Sequence, residues 1–309
     1  MASLREIKDR IGSVRSTLKI TSAMKLVASA KLRKAQRAIE ALRPYERTLA
    51  EILAAVGPAV ASPQRADGNY FSGRFAEKPI SDPPSTTPAH DAPAPKGKTA
   101  IVAIASNSSL CGGFNANAVR LALETIRACE GDVEVYPLGR KMADALKRAG
   151  YAAAQDGNDL VGHPSYEKSA ALARSLAERF QKGEISRVVL VYNRFRSASS
   201  QEPVAEDYLP FTAPVILSES EGSLPAEEYI LEPDAEALVA QLLPQVMLLK
   251  FHAAILDSVA AEQAARTLAM QTASDNAEDL LGELTLEYNK GRQQKITAEI
   301  LDLLGGASG

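Results

Sequence analysis

The chain has 309 residues, of which 46% are hydrophobic and 24% charged, and its formal net charge is -3. This composition is ordinary for a globular protein and excludes a wholly disordered chain, and two cysteines are too few for a disulfide framework. The charged N-terminal sequence is unlike a secretory signal, and we expect no membrane-spanning window of eighteen apolar residues. Charge is distributed unevenly: residues 1–47 carry twelve Lys or Arg and four acids, whereas residues 234–309 carry five and eleven.

The N-terminal segment, residues 1–57, has apolar residues alternately three and four positions apart, which predicts a long helix with one apolar seam. Ser3, followed three positions later by Glu6, matches a capping box at its start. The seam turns polar at Thr21 and Lys25, while three nearby apolar residues point elsewhere: Ile20, Met24 and Val27. Two interpretations stay open, a polar layer inside the seam or a turn that presents apolar surface to another protein.

The C-terminal segment, residues 234–309, repeats the same spacing over about seventy residues, which predicts a helix of roughly 100 Å. No single globular core is that deep, so the two long helices are expected to pair as an antiparallel coiled coil. Counting from their common end places Leu4 beside about residue 286 and leaves a tip of about 25 Å unpaired. That tip has an apolar face, which predicts a protein interface; its residues are Ile296, Ile300, Leu301, Leu303 and Leu304.

The middle of the chain changes character twice. Residues 58–97 hold eight of the seventeen prolines and no apolar period, which predicts a flexible linker. Residues 98–217 alternate buried strands with amphipathic helices, which predicts a Rossmann-like, doubly wound α/β domain inserted between the long helices. The predicted strands are 98–107, 132–138, 185–195 and an edge strand 203–211, and the predicted helices are 115–128, 140–149 and 165–181. Residues 218–233 form a connector.

No active site emerges from the residue pattern. The glycine-rich segment 106–115, SNSSLCGGFN, leaves a strand and enters a helix, but it lacks both the GxGxxG spacing and a GK[ST] ending of phosphate loops. We interpret Gly112 and Gly113 as a tight turn and Cys111 as a packed thiol. The three histidines do not cluster, so we predict no metal site and no cofactor. The basic N-terminal helix has no interleaved aromatics, so nucleic-acid binding is not expected.

Both ends of the sequence, and one motif between them, resemble a known family. Residues 7–36, IKDRIGSVRSTLKITSAMKLVASAKLRKAQ, and residues 265–307, which include ARTLAMQTASDNAEDLLGELTLEYNKGRQQKITAEI, closely resemble the gamma subunit of the F-type ATP synthase. SSLCGGFN, residues 108–115, resembles the glycine motif of the same family. One departure is visible: the family usually has an acid, an arginine and a glycine before LCGG, where this chain has Asn107, Ser108 and Ser109.

The resemblance implies a central rotor shaft that transmits torque between the membrane c-ring and the catalytic hexamer, coupling proton translocation to ATP synthesis or hydrolysis without catalysis of its own. The implied partners are the alpha and beta subunits, the epsilon subunit and the c-ring, at the cytoplasmic face of a bacterial inner membrane. By position, the family's contact and coupling residues correspond to Met24, Lys25, Arg266, Gln293, Thr297 and Glu299. Ile300 and Leu303 of the apolar tip are expected to contact the same partners.

Two other functional classes stay open on the sequence. A structural coiled-coil adaptor would have the same paired helices but would form a stable oligomer on its own and need no ATPase partner. A nucleotide-dependent enzyme built on the inserted domain would bind nucleotide directly.

Overall fold

A computed structural model describes residues 3–60, 97–155, 157–211 and 234–306, apart from the side chains of residues 50, 54–60, 235–236 and 302–306. The described chain divides into two compact units. Unit 1 consists of Met1–Ala30 and Arg266–Gly309, and unit 2 of Lys31–Ala265. The predicted linker and connector lie almost wholly outside the described residues, so the domain boundaries at 57, 97 and 217 stay predictions.

The two terminal segments are long helices, as predicted: α1 is Leu4–Val60 and α6 is Ala235–Gly306. The start of α1 has the capping box that the sequence predicts. The Ser3 amide donates to Glu6 Oε2 at 2.9 Å, and the Glu6 amide donates to Ser3 Oγ at 3.2 Å. Two helix amides that the backbone cannot satisfy are thereby paired with side chains.

Within unit 1 the two helices run antiparallel along the predicted seam. Ile7 is buried on α1, as are Ala277 and Leu284 on α6. A Cβ placed on Gly291 would lie 3.0 Å from Leu4 Cδ2, so Leu4 lies opposite residue 291 and not residue 286 as predicted. The prediction counted residues from assumed helix ends, and α1 continues four residues past the assumed end at Val56.

Unit 2 holds the predicted α/β domain. Its elements are β1 Lys98–Ile104, α2 Phe114–Ala128, β2 Val133–Leu138, α3 Arg140–Arg148, α4 Asn158–Gly162, α5 Tyr166–Gln181, β3 Ile185–Phe195 and β4 Gln201–Leu209. The strand order is β2-β1-β3-β4, with β1 parallel to both neighbours and β4 antiparallel at the edge. The doubly wound fold class and the edge position of the last strand are confirmed; the short helix α4 was not predicted.

The sheet is buried on both faces, which explains the continuous apolar runs of its strands. Alternate residues of β1 enter two different cores: Val102 faces a core with α5, α1 and α6, and Ile101 faces a core with α2 and α3. Tyr208 of β4 donates its hydroxyl to the Met247 carbonyl of α6 at 3.0 Å. The middle of α6 is therefore a layer of the α/β core as well as half of a helix pair.

By length and composition alone, the described part of α6 is apolar enough to cross a membrane, although it holds no run of eighteen apolar residues. Within the described part of α6, residues 237–301 contain an 18-residue window of mean hydropathy 1.5, and 56% of that window is buried inside the protein. A long core helix of a soluble protein passes the same test. Packing of this part of α6 against the sheet accounts for its apolar composition.

Candidate partner-contact surface

Two turns of polar side chains interrupt the apolar seam of unit 1. The Thr21 hydroxyl lies 2.8 Å from the Ser274 hydroxyl, and Lys25 Nζ donates to Gln271 Oε1 at 2.6 Å. Gln271 Nε2 in turn donates to Asp275 Oδ1 at 2.6 Å. Because Thr21 and Ser274 are both buried, each hydroxyl satisfies the other away from water. The interpretation of this turn as a polar layer is confirmed.

The same turns of α1 also expose apolar side chains, as the second interpretation predicted. Ile20 is 60% exposed, Leu26 69% and Val27 56%; we call these three residues the α1 patch. Ile20 and Val27 lie two helical turns apart on one face, away from the seam. Met24 is half-buried next to them. Grouped exposed apolar side chains are typical of protein interfaces, so the α1 patch is a candidate contact surface.

The end of α6 has no covering within the described chain. Every described side chain from residue 292 to residue 301 is exposed, and the helix continues to Gly306, about 22 Å beyond Gly291. Ile296, Ile300 and Leu301 are the exposed apolar members, at 47%, 51% and 62%. We call residues 292–306 the overhang. The predicted unpaired tip is thus confirmed, five residues further along α6 than the sequence arithmetic placed it.

Four of the predicted contact residues lie on the described part of the overhang, and their described bonds stay within α6. Thr297 Oγ1 donates to the Gln293 carbonyl at 3.0 Å, and Lys295 Nζ lies 3.8 Å from Glu299 Oε1. Ile300 is exposed beside them. Leu303 belongs to the helix, but its side chain lies outside the described residues. An exposed row of this kind is available to a second protein without any unfolding.

Arg266 differs from the other predicted contact residues because it is buried, with 8% of its surface exposed. It lies 27 positions before Gln293 on the same helix, which corresponds to about 40 Å. The structure therefore does not bring Arg266 and the overhang together into one site. Sequence position alone carried no sign of this burial, and the exposed Leu26 of the α1 patch was also missed because it lies off the seam.

The glycine-rich segment is a packed turn, as interpreted. Leu110 and Gly112 adopt positive φ angles of 67° and 57°. Glycine adopts such angles without a steric cost, which explains its presence at position 112. Gly113 has φ -79° and needs no such freedom. Cys111 is 1% exposed and packs with Phe114 against Ala261 and Ala265 of α6. Side chains of the protein itself therefore contact this loop where a nucleotide phosphate would approach in a dinucleotide-binding fold.

Possible catalytic and metal-binding groups are buried or dispersed. Ser169 Oγ lies 2.9 Å from His252 Nδ1, but Ser169 is fully buried and also donates to the carbonyls of Ser165 and Tyr166. Burial lowers the pKa of His252. This pair has no access for a substrate and serves packing. Among the described residues, no group of three His, Cys, Asp or Glu side chains could hold a metal ion, and His90 lies outside them.

A cleft of about 390 Å³ lies between β2, α4 and α5. Tyr136 lines it, and burial together with Glu134 raises the pKa of Tyr136 to about 12. Arg179 holds Glu134 through two hydrogen bonds of 2.8 Å, which lowers the pKa of Glu134. Lys168 lies 3.4 Å from Asp159 at the rim. The charged residues that line the cleft, Asp159 and Lys168, are thus paired with each other.

A charged cluster lies where α6 crosses the sheet in unit 2. Burial lowers the pKa of Lys250, whose Nζ is 5.5 Å from the centre of the Phe211 ring. Burial raises the pKa of Glu46 on α1, and it raises the pKa of Asp257 on α6 to about 6. Arg194 forms an ion pair with Glu206 beside them. These groups lie at the packed junction of the helix pair with the sheet within unit 2.

Comparison with known proteins identifies the family to which this arrangement is similar. A family profile described as ATP synthase matches residues 3–309. Curated proteins named ATP synthase gamma chain are 45% identical in Bacteroides fragilis, over 99% of both chains, and 38% identical in Flavobacterium johnsoniae, over 99% of this chain and 98% of the other. Both relatives have nearly the same length as this chain.

Solved structures show the same fold at lower identity. A chain of the Euglena gracilis mitochondrial ATP synthase, in a structure of OSCP, F1 and c-ring, has a TM-score of 0.59 at 20% identity and covers 99% of this chain and 93% of its own. A chain from the central stalk and c-ring of the Tetrahymena thermophila mitochondrial ATP synthase has a TM-score of 0.53 at 22% identity. The match covers 82% of this chain and 99% of that chain.

Proposed function

The chain belongs to the family of ATP synthase gamma chains, and we propose that it works there as a non-catalytic central rotor shaft. In this role it transmits torque between an ion-driven c-ring in the membrane and the nucleotide-binding hexamer of alpha and beta subunits, so that proton translocation is coupled to ATP synthesis or hydrolysis. The proposed location is the cytoplasmic face of a bacterial inner membrane, as a peripheral part of the complex. No cofactor belongs to the proposal.

The observation that carries the proposal is the overhang. An amphipathic helix buries its apolar face against a partner, yet Ile296, Ile300 and Leu301 are about half exposed or more. A ring of subunits around this tip would cover the face from all sides. The relatives and structural neighbours, which are named as ATP synthase gamma chains and as the central stalk, agree with such a position.

Coupling follows from the asymmetry of the shaft. Ile20 and Val27 of the α1 patch expose apolar side chains on one face of α1, while the polar residues Lys25 and Gln271 occupy the seam. Each rotational position therefore presents a different surface to each of three catalytic sites. A conformation of a catalytic subunit that contacts the apolar patch is stabilised relative to one that does not, and this difference in interaction free energy is the coupling.

The remaining proposed partners follow from the family. The epsilon subunit and the c-ring would contact the α/β domain in unit 2, while the alpha and beta subunits would surround unit 1. Met24, Lys25 and the overhang residues Gln293, Thr297 and Glu299 are proposed as contact residues. A direct membrane span is not part of the proposal, because the apolar window of α6 is accounted for by its packing in unit 2.

The test is co-expression of the chain with the alpha and beta subunits of Bacteroides fragilis, a source of a relative 45% identical. We expect one copy to co-purify with the hexamer and ATP hydrolysis to depend on it. The variant Ile296→Asp with Ile300→Asp should reduce recovery of the complex, whereas Glu287→Ala, an exposed change on the same helix, should not. A chain that purifies alone as a folded oligomer, with no effect of either variant, would favour the structural adaptor instead.

A further inference from the structure

The loop that joins β1 to α2 occupies the position where doubly wound sheets bind their ligands. The chain passes from β1 to β2 on one side and reaches β3 on the other, so the carboxyl ends of β1 and β3 flank the point at which the strand order reverses. In this protein the loop residues Cys111 and Phe114 pack there against Ala261 and Ala265 of α6. Phe195, at the end of β3, packs against the same group. A helix of the shaft thus takes the place of a ligand.

The side chain of Asn115 holds the loop in shape. Its Oδ1 accepts from the Ser106 amide at 3.0 Å and from the Ser106 hydroxyl at 2.9 Å. Its Nδ2 donates to the Ser108 carbonyl at 3.3 Å and lies 3.1 Å from Cys111 Sγ. One amide group therefore ties both ends of the loop together and orients the thiol that faces α6.

Two further asparagines anchor the loop to the sheet and its helices. Asn193 of β3, which is 1% exposed, donates to the Phe114 carbonyl at 3.4 Å. Asn107 accepts from the Arg140 amide at 2.9 Å and donates to the Asn158 carbonyl at 2.9 Å. Since these bonds reach three different elements, the loop cannot shift without breaking bonds to β3, α3 or α4.

The face of α6 that meets the loop is made of the smallest side chains. Ala261 is fully buried and Ala265 is 8% exposed. A methyl side chain allows the loop to approach the helix closely, and a longer side chain at the same position would push Cys111 and Phe114 away, because protein interiors are close-packed.

We propose that residues 106–115 form a rigid contact that fixes the α/β sheet to α6; we call this contact the clamp. Asn115 is the positioning residue of the clamp. The proposal rests on the rotor function proposed above and adds the part that passes torque from the sheet to the shaft helix. The phosphate-binding position of the fold is used to hold a helix of the same chain. Loss of the clamp weakens the connection between the sheet and α6 at this end, while the core that the middle of α6 forms with β1, β3 and α5 remains.

The closure of the clamp is measured by the reactivity of Cys111. In a Cys129→Ser background, Cys111 is the one thiol of the chain, and its labelling by Ellman's reagent reports opening of the loop. We expect Cys111 to be labelled slowly in the otherwise unchanged chain and at least about tenfold faster in Ala261→Leu. The reason is that a buried thiol reacts only when the structure around it opens. Ala240→Leu, an exposed change on the same helix, is the matched control. Equal labelling rates in the two variants would overturn the clamp.

The role of Asn115 is measured with a second pair of variants, which also serves if Ala261→Leu does not fold. Asn115→Ala removes all the bonds of the amide, whereas Asn115→Asp keeps an oxygen that accepts from Ser106. We expect fast Cys111 labelling and fewer protons pumped per ATP hydrolysed with Asn115→Ala, and partial recovery of both with Asn115→Asp. Far-ultraviolet circular dichroism of the full chain should stay unchanged in both.

The outcomes separate the clamp from the rotor function. A complex that opens at Cys111 but pumps with the normal ratio would show that the clamp carries no torque, while the rotor function would stand. Failure of the wild-type chain to assemble with the hexamer would remove the rotor function, and Cys111 labelling of the chain alone would still show whether the loop is clamped.

Discussion

Thr21 and Ser274 are 253 positions apart in the chain, yet their hydroxyl oxygens lie 2.8 Å apart inside the helix pair of unit 1. Ser22 adds a longer contact of 3.5 Å to the same hydroxyl. A polar pair in an otherwise apolar seam specifies one register, because any slip of one helix along the other would bury both hydroxyls against apolar groups. The pair thus determines which residues of α1 and α6 lie side by side.

Removing one hydroxyl of this pair should lower the free energy of unfolding more than removing both. We expect Thr21→Val and Ser274→Ala each to lower the free energy of unfolding by about 1 kcal/mol and the double variant to lie close to wild type. The hydroxyl that remains in each single variant loses its short bond of 2.8 Å and keeps only a longer one, from Thr21 to the Leu18 carbonyl at 3.1 Å or from Ser274 to Ser22 at 3.5 Å. Urea unfolding of the four proteins measures the coupling energy. Costs that add to within about 0.5 kcal/mol would show that the hydroxyls do not interact.

The buried carboxyl of Asp257 should make stability depend on pH. Burial raises its pKa to about 6, although the nearby charges of Arg43 and Arg194 act to lower it. The folded state therefore binds the proton more tightly than the unfolded chain does. The stability contributed by this group is therefore fully present below about pH 4 and is lost as the pH rises through about 6.

Asp257→Asn should consequently raise the free energy of unfolding at pH 7 by about 2 kcal/mol, allowing for the solvent around a half-buried carboxyl, and the gain should vanish near pH 4. Thermal unfolding of the full chain between pH 4 and pH 8 measures the difference. Asp279→Asn, an exposed change on the same helix, is the control and should show no such trend. A pH-independent gain would contradict the assigned pKa.

The overhang should influence coupling and leave stability unaltered. Gln293, Thr297 and Glu299 are exposed, and exposed substitutions usually change stability by less than about 0.5 kcal/mol each. We expect the triple alanine variant to unfold at the wild-type temperature but to pump fewer protons per ATP hydrolysed in vesicles. Glu287→Ala is the matched control on the same helix. A normal pumping ratio in the triple variant would argue against these contact residues.

Charge reversal at Arg266 should lower the stability of the folded chain as well as the coupling. The family resemblance implies a coupling role for Arg266, but a carboxylate at this position, which is 8% exposed, would be buried. Burying it should lower the free energy of unfolding by about 3 kcal/mol or more. We expect Arg266→Glu to lower the unfolding temperature and Arg266→Lys to lower it less. Comparing the pumping ratio of Arg266→Lys with that of wild type then isolates the coupling role, and an unchanged ratio would remove it.

Deleting residues 66–92 should leave assembly intact. The segment lies outside the described residues, and the prediction rests on its proline-rich composition, which has no apolar period that a core would require. Native gel electrophoresis of the complex with the shortened chain is the measurement. Loss of the assembled band, with the chain still expressed, would show that this segment makes a necessary contact.

Features set by neighbouring residues could be predicted from the sequence. The seam of α1, the capping box of Ser3 and Glu6 and the alternation of β1 all depend on residues within a few positions, where helix and strand periodicity applies directly. The uncovered end of α6 could also be predicted, because it follows from the lengths of the two helices. The glycine loop could be recognised as a turn for the same reason.

The sequence by itself determined the two long helices, the doubly wound sheet between them and the apolar overhang, because each is encoded by a local pattern. Only the tertiary structure decided that Leu4 faces residue 291, that Arg266 is buried, and that Ala261 fills the position of a ligand against Cys111. Each of these depends on side chains far apart in the chain, and their meeting depends on how volumes and hydrogen bonds fit in a close-packed interior. A spacing pattern along one segment contains no information about that fit.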